Sequence, residues 1–182
     1  MSIRGTKQSI FVPACLVVLV LSGLSGCGYH LVGTSSFLPE ELQLLYLDHF
    51  ENLTTWSDVD QRLNESLAAE WVRRNRFELV EDRKRAQVVL EGVIQRISMI
   101  PVALDDRGRA TEYQMTLTVR VKLMDVRGEK PVILWEDKAF SRRTSYEVDL
   151  SSVDYFDRQI QAMELVSENL ARALVTAVLE GF

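Results

Sequence analysis

Strict alternation in the middle of the chain is the clearest pattern of hydrophobic and polar positions. From residue 112 to residue 123 polar and apolar side chains take turns, and the apolar ones are Tyr113, Met115, Leu117, Val119, Val121 and Leu123. Period two held this long predicts a β-strand with one buried and one solvated face. At about 3.3 Å per residue, twelve or so residues span roughly 40 Å, so we expect a hairpin that projects beyond the core.

The partner strand of this hairpin is predicted just before it. Residues 88–100 are mostly apolar, and Gly92 within them is expected to mark a bulge. Residues 105–108 read Asp-Asp-Arg-Gly, which is typical of a turn, and Gly108 is suited to a positive φ. The two strands and this turn form the projecting hairpin.

Further strands are predicted on either side of the hairpin. Residues 42–50 are rich in leucine and indicate a buried first strand, and residues 77–80 indicate a short one. After a turn at residues 127–131, residues 132–141 predict another strand, whose alternation changes phase near Trp135.

Helical periodicity occurs in two segments. Val59, Leu63, Leu67 and Trp71 recur every fourth residue and predict a first helix, with Ser57 as its N-cap. Arg73 and Arg74 suit its last turn, and Asn75 the left-handed position that ends it.

The second helix is predicted from residue 153 to residue 180, starting near Ser151 or Ser152. Its apolar stripe consists of Phe156, Ile160, Met163, Leu170, Leu174, Ala177 and Val178. The order of elements predicts an α+β fold, a two-layer sandwich. Its mixed, mostly antiparallel sheet carries both helices on one face and a long projecting hairpin. We expect it to form a single domain over residues 42–182.

The beginning of the chain has the layout of an export signal. Arg4 and Lys7 precede an apolar stretch at residues 10–21, which is shorter than a membrane-spanning helix requires. The small-residue end reads Leu24-Ser25-Gly26-Cys27, which resembles a bacterial lipobox. The pattern predicts a signal peptide over residues 1–26 and a lipidated tether over residues 27–41.

Cys27 is the predicted site of lipid attachment. Its thiol would carry a diacylglycerol and its new amine an acyl chain such as palmitate, which together hold a protein on a membrane. The alternative is an ordinary signal peptide with Cys27 just inside the mature chain. Gly28 follows instead of the aspartate of an inner-membrane retention signal, so analogy with bacterial sorting favours the outer membrane.

Composition adds little to this interpretation. The chain has 182 residues, of which 47% are hydrophobic and 26% charged, as in ordinary globular proteins. Its formal net charge of −5, with no basic run longer than the three residues 83–85, argues against a nucleic-acid partner. No motif for a phosphate-binding loop, a nucleophile elbow or a paired-cysteine metal site is present. We expect no cofactor and no metal.

Catalysis is not expected either. Asp48 and His49 are the nearest approach to an acid–base pair, but adjacent strand residues face opposite sides. Asp105 and Asp106 lie in a predicted hairpin turn, with no pocket to raise the pKa of either carboxyl group. The sequence therefore predicts a protein that binds and does not catalyse.

Arginines mark two candidate sites for an anionic headgroup. Arg107 and Arg109 lie at the predicted hairpin tip, and Arg142 and Arg143 at the predicted end of the last strand. Guanidinium groups bind phosphates bidentately, and simple solvation is the alternative for both pairs. The polar face of the alternating strand, from Glu112 to Lys122, is either solvated or suited to the polar lumen of an outer-membrane barrel.

Two motifs resemble the family of lipopolysaccharide-assembly lipoproteins (LptE-like). They are Cys27-Gly28-Tyr29-His30-Leu31, with Leu38-Pro39 before the first strand, and Thr111-Glu112-Tyr113-Gln114-Met115 after the long hairpin. The resemblance implies an outer-membrane lipoprotein facing the periplasm and the lumen of a partner β-barrel, the barrel of the lipopolysaccharide translocon. There it implies a plug and assembly partner that assists insertion of lipopolysaccharide into the outer leaflet and binds it.

The resemblance also implies that basic residues near the hairpin tip serve lipopolysaccharide binding, which here makes Arg107 and Arg109 the candidates. Asp105 and Asp106 stand beside them, where a relative can carry a base. A second hypothesis is a periplasm-facing regulatory lipoprotein that activates a cell-wall synthase, because Phe50-Glu51-Asn52-Leu53-Thr54 before a helix also resembles such activators.

Overall fold

The computed structural model describes residues 38–148 and 155–181, all of them within one compact unit. In chain order it contains β1 (Leu44–Leu47), β2 (Glu51–Asn52), α1 (Val59–Arg74), β3 (Glu78–Leu79), a 3-10 turn (Arg83–Arg85), β4 (Val88–Leu104), β5 (Ala110–Asp125), β6 (Val132–Glu147) and α2 (Tyr155–Glu180). The predicted α+β class is confirmed. The predicted signal peptide, Cys27 and the expected start of α2 near Ser151 lie outside the described residues.

The sheet is mixed, as predicted. Its strand order is β3-β1-β4-β5-β6, with the short β2 pairing beside β4. Strand β1 runs parallel to both β3 and β4, whereas β4, β5 and β6 form an antiparallel meander. Parallel pairing of β1 with β4 follows because the chain crosses over through α1 between them.

The core lies between the sheet and the two helices. Met115, Leu117, Val119, Val121 and Leu123 of β5 are all fully buried, which confirms the face predicted from their alternation. The helices complete the core with Leu63, Leu67 and Trp71 of α1 and with Val166, Leu170, Leu174 and Val178 of α2. The side chains of β5 that face the other way remain outside this core.

Both strands that flank β5 are longer than predicted. Strand β4 reaches Leu104, and β6 reaches Glu147 instead of ending near residue 141. The prediction missed the last part of β6 because residues 141–147 are almost all polar, yet their backbone pairs with β5 as far as Glu112. Tyr146 also stacks on Tyr113, with ring centroids 6.1 Å apart. Arg142 and Arg143 therefore lie within β6, and their predicted place at its end is wrong.

Gly92 does not mark a bulge. The first register shift of β4 against β5 lies between Ile94 and Arg96, and Gly92 pairs regularly with Val121. A side chain at Gly92 would overlap the ring of Phe50, which is fully buried. The glycine is needed here because an aromatic ring takes the space of its missing side chain.

The start of α1 also differs from the prediction. The helix begins at Val59 with Asp58 as its N-cap, in a left-handed conformation (φ 61°) and without a side-chain capping bond. Ser57 is therefore not the cap, because the turn into the helix is made by the backbone of Asp58. At the other end Asn75 is left-handed (φ 51°), as predicted, and its N–H donates to the carbonyls of Trp71 and Val72.

The buried stripe of α2 keeps Met163, Leu170, Leu174 and Val178 of the predicted one and is broader. Ile160 is 50% exposed, whereas Ala162, Val166, Ser167 and Ala171 are buried. The side chain of Phe156 lies outside the described part. Small residues let α2 approach its neighbours closely, and a pattern of large apolar residues alone does not detect them.

Candidate binding surface

The tip of the β4–β5 hairpin is organised by Asp105. The N–H of Asp105 donates to the Arg109 carbonyl (2.8 Å), and the N–H of Gly108 donates to the Asp105 carbonyl (2.9 Å). Gly108 has φ 73°, which confirms its predicted role. The Asp105 carboxylate accepts from the backbone N–H groups of Arg107 and Arg109, each at 2.9 Å. Asp105 is thus a structural residue of the turn.

The two arginines of the tip differ in whether their guanidinium group pairs with the Asp105 carboxylate. Arg109 donates to Asp105 through Nε (2.8 Å), and its terminal nitrogen lies 2.7 Å from the carboxylate. The pKa of Asp105 lies below its usual value. The largest causes are the hydrogen bonds from the backbone and side chain of Arg109, and the hydrogen bond from the backbone of Arg107 has a smaller effect. The guanidinium of Arg107 forms no ion pair with any residue that the structure describes, and the residue is exposed.

An apolar row lies beside these arginines and was missed by the sequence analysis. Ile100, Val102 and Leu104 at the distal end of β4 are 52%, 45% and 62% exposed. Ile100 is the last residue of the predicted strand and the other two lie beyond it, where β4 also shifts its register against β5. The tip thus combines exposed aliphatic side chains with a free cation, an arrangement suited to an anionic amphiphile.

The sheet face away from the helices is polar. On β5 it consists of Glu112, Gln114, Thr116, Thr118, Arg120 and Lys122, all outside the buried core. Cross-strand neighbours continue it, since Lys122 lies between Glu91 of β4 and Glu136 of β6. Arg120 and Lys122 also line a surface concavity of about 290 Å³ with Asp48 and His49. We call the side chains of β5 on this side, from Glu112 to Lys122, the open polar face.

Asp48 and His49 do not act on each other through their side chains. Asp48 pairs with Arg83, whereas His49 contacts Asp60 through Nε2 (2.9 Å) and Asn64 through Nδ1 (3.2 Å). The hydrogen bond from His49 is the main reason that the pKa of Asp60 is lowered. Asp48 thus links the end of β1 to the 3-10 turn and His49 links it to α1, so the two do not form the acid–base pair considered from the sequence.

The segment at residues 50–54 is explained by its own packing. Phe50 is fully buried, and the Asn52 carboxamide accepts from the N–H and hydroxyl of Thr54 at 2.9 and 2.8 Å. Asn52 also donates to the Trp56 carbonyl (2.8 Å). These contacts shape the turn into α1 and give the segment a structural role.

Two kinds of feature are absent from the described residues. Neither helix in the described part of the chain is both long and apolar enough to span a membrane. Residues 38–148 and 155–181 contain no group of three His, Cys, Asp or Glu side chains placed to hold a metal ion.

The fold and this surface define a class of protein, an α+β domain that presents an amphiphilic hairpin tip and an open polar sheet face. The model of the lipopolysaccharide-assembly (LptE) family matches residues 42–178, and the chain belongs to that family. Membership assigns it a part in lipopolysaccharide assembly, which is not an enzymatic role.

Solved structures resemble the fold at low sequence identity. A hypothetical protein from Chlamydia trachomatis matches at 13% identity with a TM-score of 0.55, covering 78% of this chain and 97% of that one. Rare lipoprotein B from Shewanella oneidensis matches at 16% identity (TM-score 0.43; 76% and 92% covered). An uncharacterized lipoprotein B from Nitrosomonas europaea matches at 15% (TM-score 0.47; 85% and 97%). The first of these supports the assignment of the fold.

Proposed function

We propose that this chain is anchored in the outer membrane by lipid on Cys27 and plugs the β-barrel of the lipopolysaccharide translocon. In that place it assists assembly of the barrel and insertion of lipopolysaccharide into the outer leaflet. The observation that carries the proposal is the family match over residues 42–178.

The open polar face supports a position inside a barrel. The lumen of an outer-membrane barrel is polar, so an apolar sheet face would be mismatched there. On β5 this face presents Gln114, Thr116 and Thr118 between charged residues at either end. Threonine and glutamine side chains donate and accept hydrogen bonds, which suits contact with a polar wall.

The hairpin tip supports direct contact with lipopolysaccharide. Its phosphates would meet the free guanidinium of Arg107, and its acyl chains the exposed row of Ile100, Val102 and Leu104. Arg109 contributes less, because its guanidinium is already paired with Asp105. The proposed headgroup site therefore contains both predicted arginines, and Arg107 contributes more to binding than Arg109 does.

Co-purification of the tagged full-length chain from detergent-solubilised outer membranes tests this function. We expect mass spectrometry to find a β-barrel protein with the wild-type chain. We also expect the Cys27→Ala variant to leave the membrane fraction, because several acyl chains each contribute roughly 0.8 kcal/mol per buried methylene. Recovery of a penicillin-binding protein in place of the barrel would support the cell-wall hypothesis and overturn this one.

A further inference from the structure

Three arginines from three different elements meet on the helix side of the molecule, away from the open polar face. They are Arg74 in the last turn of α1, Arg142 of β6 and Arg172 of α2. Together with Asn169 and Thr176 they line a surface concavity of about 370 Å³. We call this the three-arginine pocket.

Two of the guanidinium groups are held in place by the protein. Arg74 donates through Nε to Glu70 (2.8 Å) and through a terminal nitrogen to the Thr176 hydroxyl (2.6 Å). The guanidinium carbon of Arg142 lies 4.6 Å from the centre of the Phe140 ring, and one nitrogen donates to the Ser141 carbonyl (2.7 Å). Each group therefore loses little side-chain entropy when it binds a ligand.

The charge of the pocket is unbalanced. Arg172 is exposed and forms no ion pair within the described ranges 38–148 and 155–181. Three guanidinium groups line the pocket against one carboxylate in the lining, that of Glu180, and Arg74 is the one that pairs with a carboxylate outside it, that of Glu70. The neighbouring groove between α1 and α2 is different, because the glutamates in its lining outnumber the arginines. The three-arginine pocket therefore carries excess positive charge in its lining, on a chain whose net charge is −5.

We propose that the three-arginine pocket binds a phosphate group, either a free phosphate or pyrophosphate or the phosphate of a lipid headgroup. Phosphate oxygens accept paired hydrogen bonds from the planar guanidinium fork, and Asn169 adds an amide donor beside them. The proposal depends neither on a barrel partner nor on the hairpin tip, since the pocket lies on the other side of the sheet from the open polar face.

The chain offers a closely matched control at Arg143. Arg142 pairs with the buried Leu117 and lies on the helix side, whereas Arg143 pairs with Thr116 and lies on the side of the open polar face. Arg142→Gln and Arg143→Gln remove the same charge from adjacent exposed positions. Only the first of them removes it from the pocket.

The experiment measures binding of two probes to the full-length protein in neutral detergent. Calorimetric titration uses sodium pyrophosphate in one arm and mixed micelles containing phosphatidic acid in the other. We expect saturable binding in at least one arm. The Arg142→Gln and Arg172→Gln changes should each weaken it about tenfold, and Arg143→Gln less than twofold.

The two arms identify the source of the phosphate. Binding of pyrophosphate assigns the pocket to small phosphates, and binding confined to the phosphatidic acid micelles assigns it to a lipid headgroup. Absence of binding in both arms overturns the proposal, and so does an equal loss with Arg143→Gln. Thermal unfolding of each variant, unchanged from wild type, shows that a weakened affinity does not come from a damaged fold.

Discussion

At the scale of single residues, the contact between Phe50 and Gly92 connects two parts of the sheet. Phe50 lies just before β2, and its fully buried ring occupies the space above the backbone of β4 at Gly92. Because the ring is enclosed by the core, it cannot move aside without displacing other buried groups. A side chain at residue 92 therefore conflicts with the packing of β2 on β4.

We expect Gly92→Ala to lower the free energy of unfolding by about 1–3 kcal/mol, the usual cost of overpacking a core. Urea unfolding of the full-length protein in detergent measures it. Gly128→Ala is the matched control, because the nearest atom to its new methyl group, outside the adjacent residues, would be the Lys130 carbonyl oxygen at an ordinary 3.6 Å. Equal stability of the two variants would show that the Phe50 ring adapts to residue 92.

Glu70 is a buried carboxylate with two cationic partners. It accepts from Nε of Arg73 and from Nε of Arg74, each at 2.8 Å. Burial raises the pKa of Glu70, but the hydrogen bonds from Arg74 and Arg73 outweigh it and leave the pKa below its usual value. A lowered folded pKa means that the ionised group stabilises the protein above the unfolded pKa, and that this contribution is lost as the pH falls through the folded pKa.

We expect Glu70→Gln to destabilise the protein by about 1–3 kcal/mol at neutral pH, through loss of hydrogen bonds to a charged group. The difference from wild type should narrow as the pH falls below 4.5, the ordinary glutamate pKa. Unfolding by urea at a series of pH values measures both effects. Glu164→Gln removes an exposed carboxylate as a control, and an identical pH profile for the two variants would contradict the role given to Glu70.

Single residues were predicted well where a local rule acts alone. Asn75 and Gly108 adopt positive φ as expected, because a helix end and a tight turn impose that conformation on the nearby chain. Ser57 and Gly92 were misjudged because their surroundings decide their roles. The turn before α1 is made at Asp58, and the ring against Gly92 comes from a residue 42 positions earlier.

At the scale of elements, the hairpin of β4 and β5 presents the amphiphilic tip. At each end of β5 an aspartate forms an ion pair with an arginine of the neighbouring turn. Asp105 holds Arg109 at the tip, and Asp125 holds Arg127 at the opposite end (2.6 Å). The tip adds the unpaired Arg107 beside its exposed aliphatic row, whereas the opposite end has exposed Val132 and Ile133 beside the paired Arg127.

We expect Arg107→Asp combined with Arg109→Asp to weaken binding of purified lipopolysaccharide about tenfold or more, while association with the barrel is kept. Of the single changes, Arg107→Asp should account for most of the loss. Surface plasmon resonance with the full-length protein in detergent measures the affinity. Arg127→Asp is the control at the other end of β5, and an equal loss with that variant would remove the tip from lipopolysaccharide binding.

Elements with a clear period were predictable, and polar ones were not. The alternation of β5 identified its buried face from Met115 to Leu123. The last part of β6 has no such alternation, and backbone pairing with β5 holds it in the sheet. The aliphatic row of the tip was missed for a different reason, because Val102 and Leu104 lie past the predicted end of β4 at residue 100.

At the scale of the whole molecule, the fold presents two surfaces of different chemistry on its two sides. The open polar face and the hairpin tip serve the proposed barrel and lipopolysaccharide contacts, whereas the three-arginine pocket lies on the helix side. Family membership was suggested by short motifs and is shown by the match over residues 42–178. The pattern of hydrophobic and polar residues cannot identify the partner. A sheet face in contact with water and one in contact with the polar wall of a barrel both require polar side chains.

Photo-crosslinking from the open polar face is the most direct test of the proposal that this face lies inside a β-barrel. A photoreactive residue is placed at Thr118, in the middle of that face, and, as a control, at Glu129 in the turn between β5 and β6. Irradiation of intact cells, followed by mass spectrometry, identifies the captured protein. We expect Thr118 to capture an outer-membrane β-barrel in high yield. Capture of no barrel from Thr118, in cells where the chain is folded and membrane-bound, would show that this face does not lie inside a barrel.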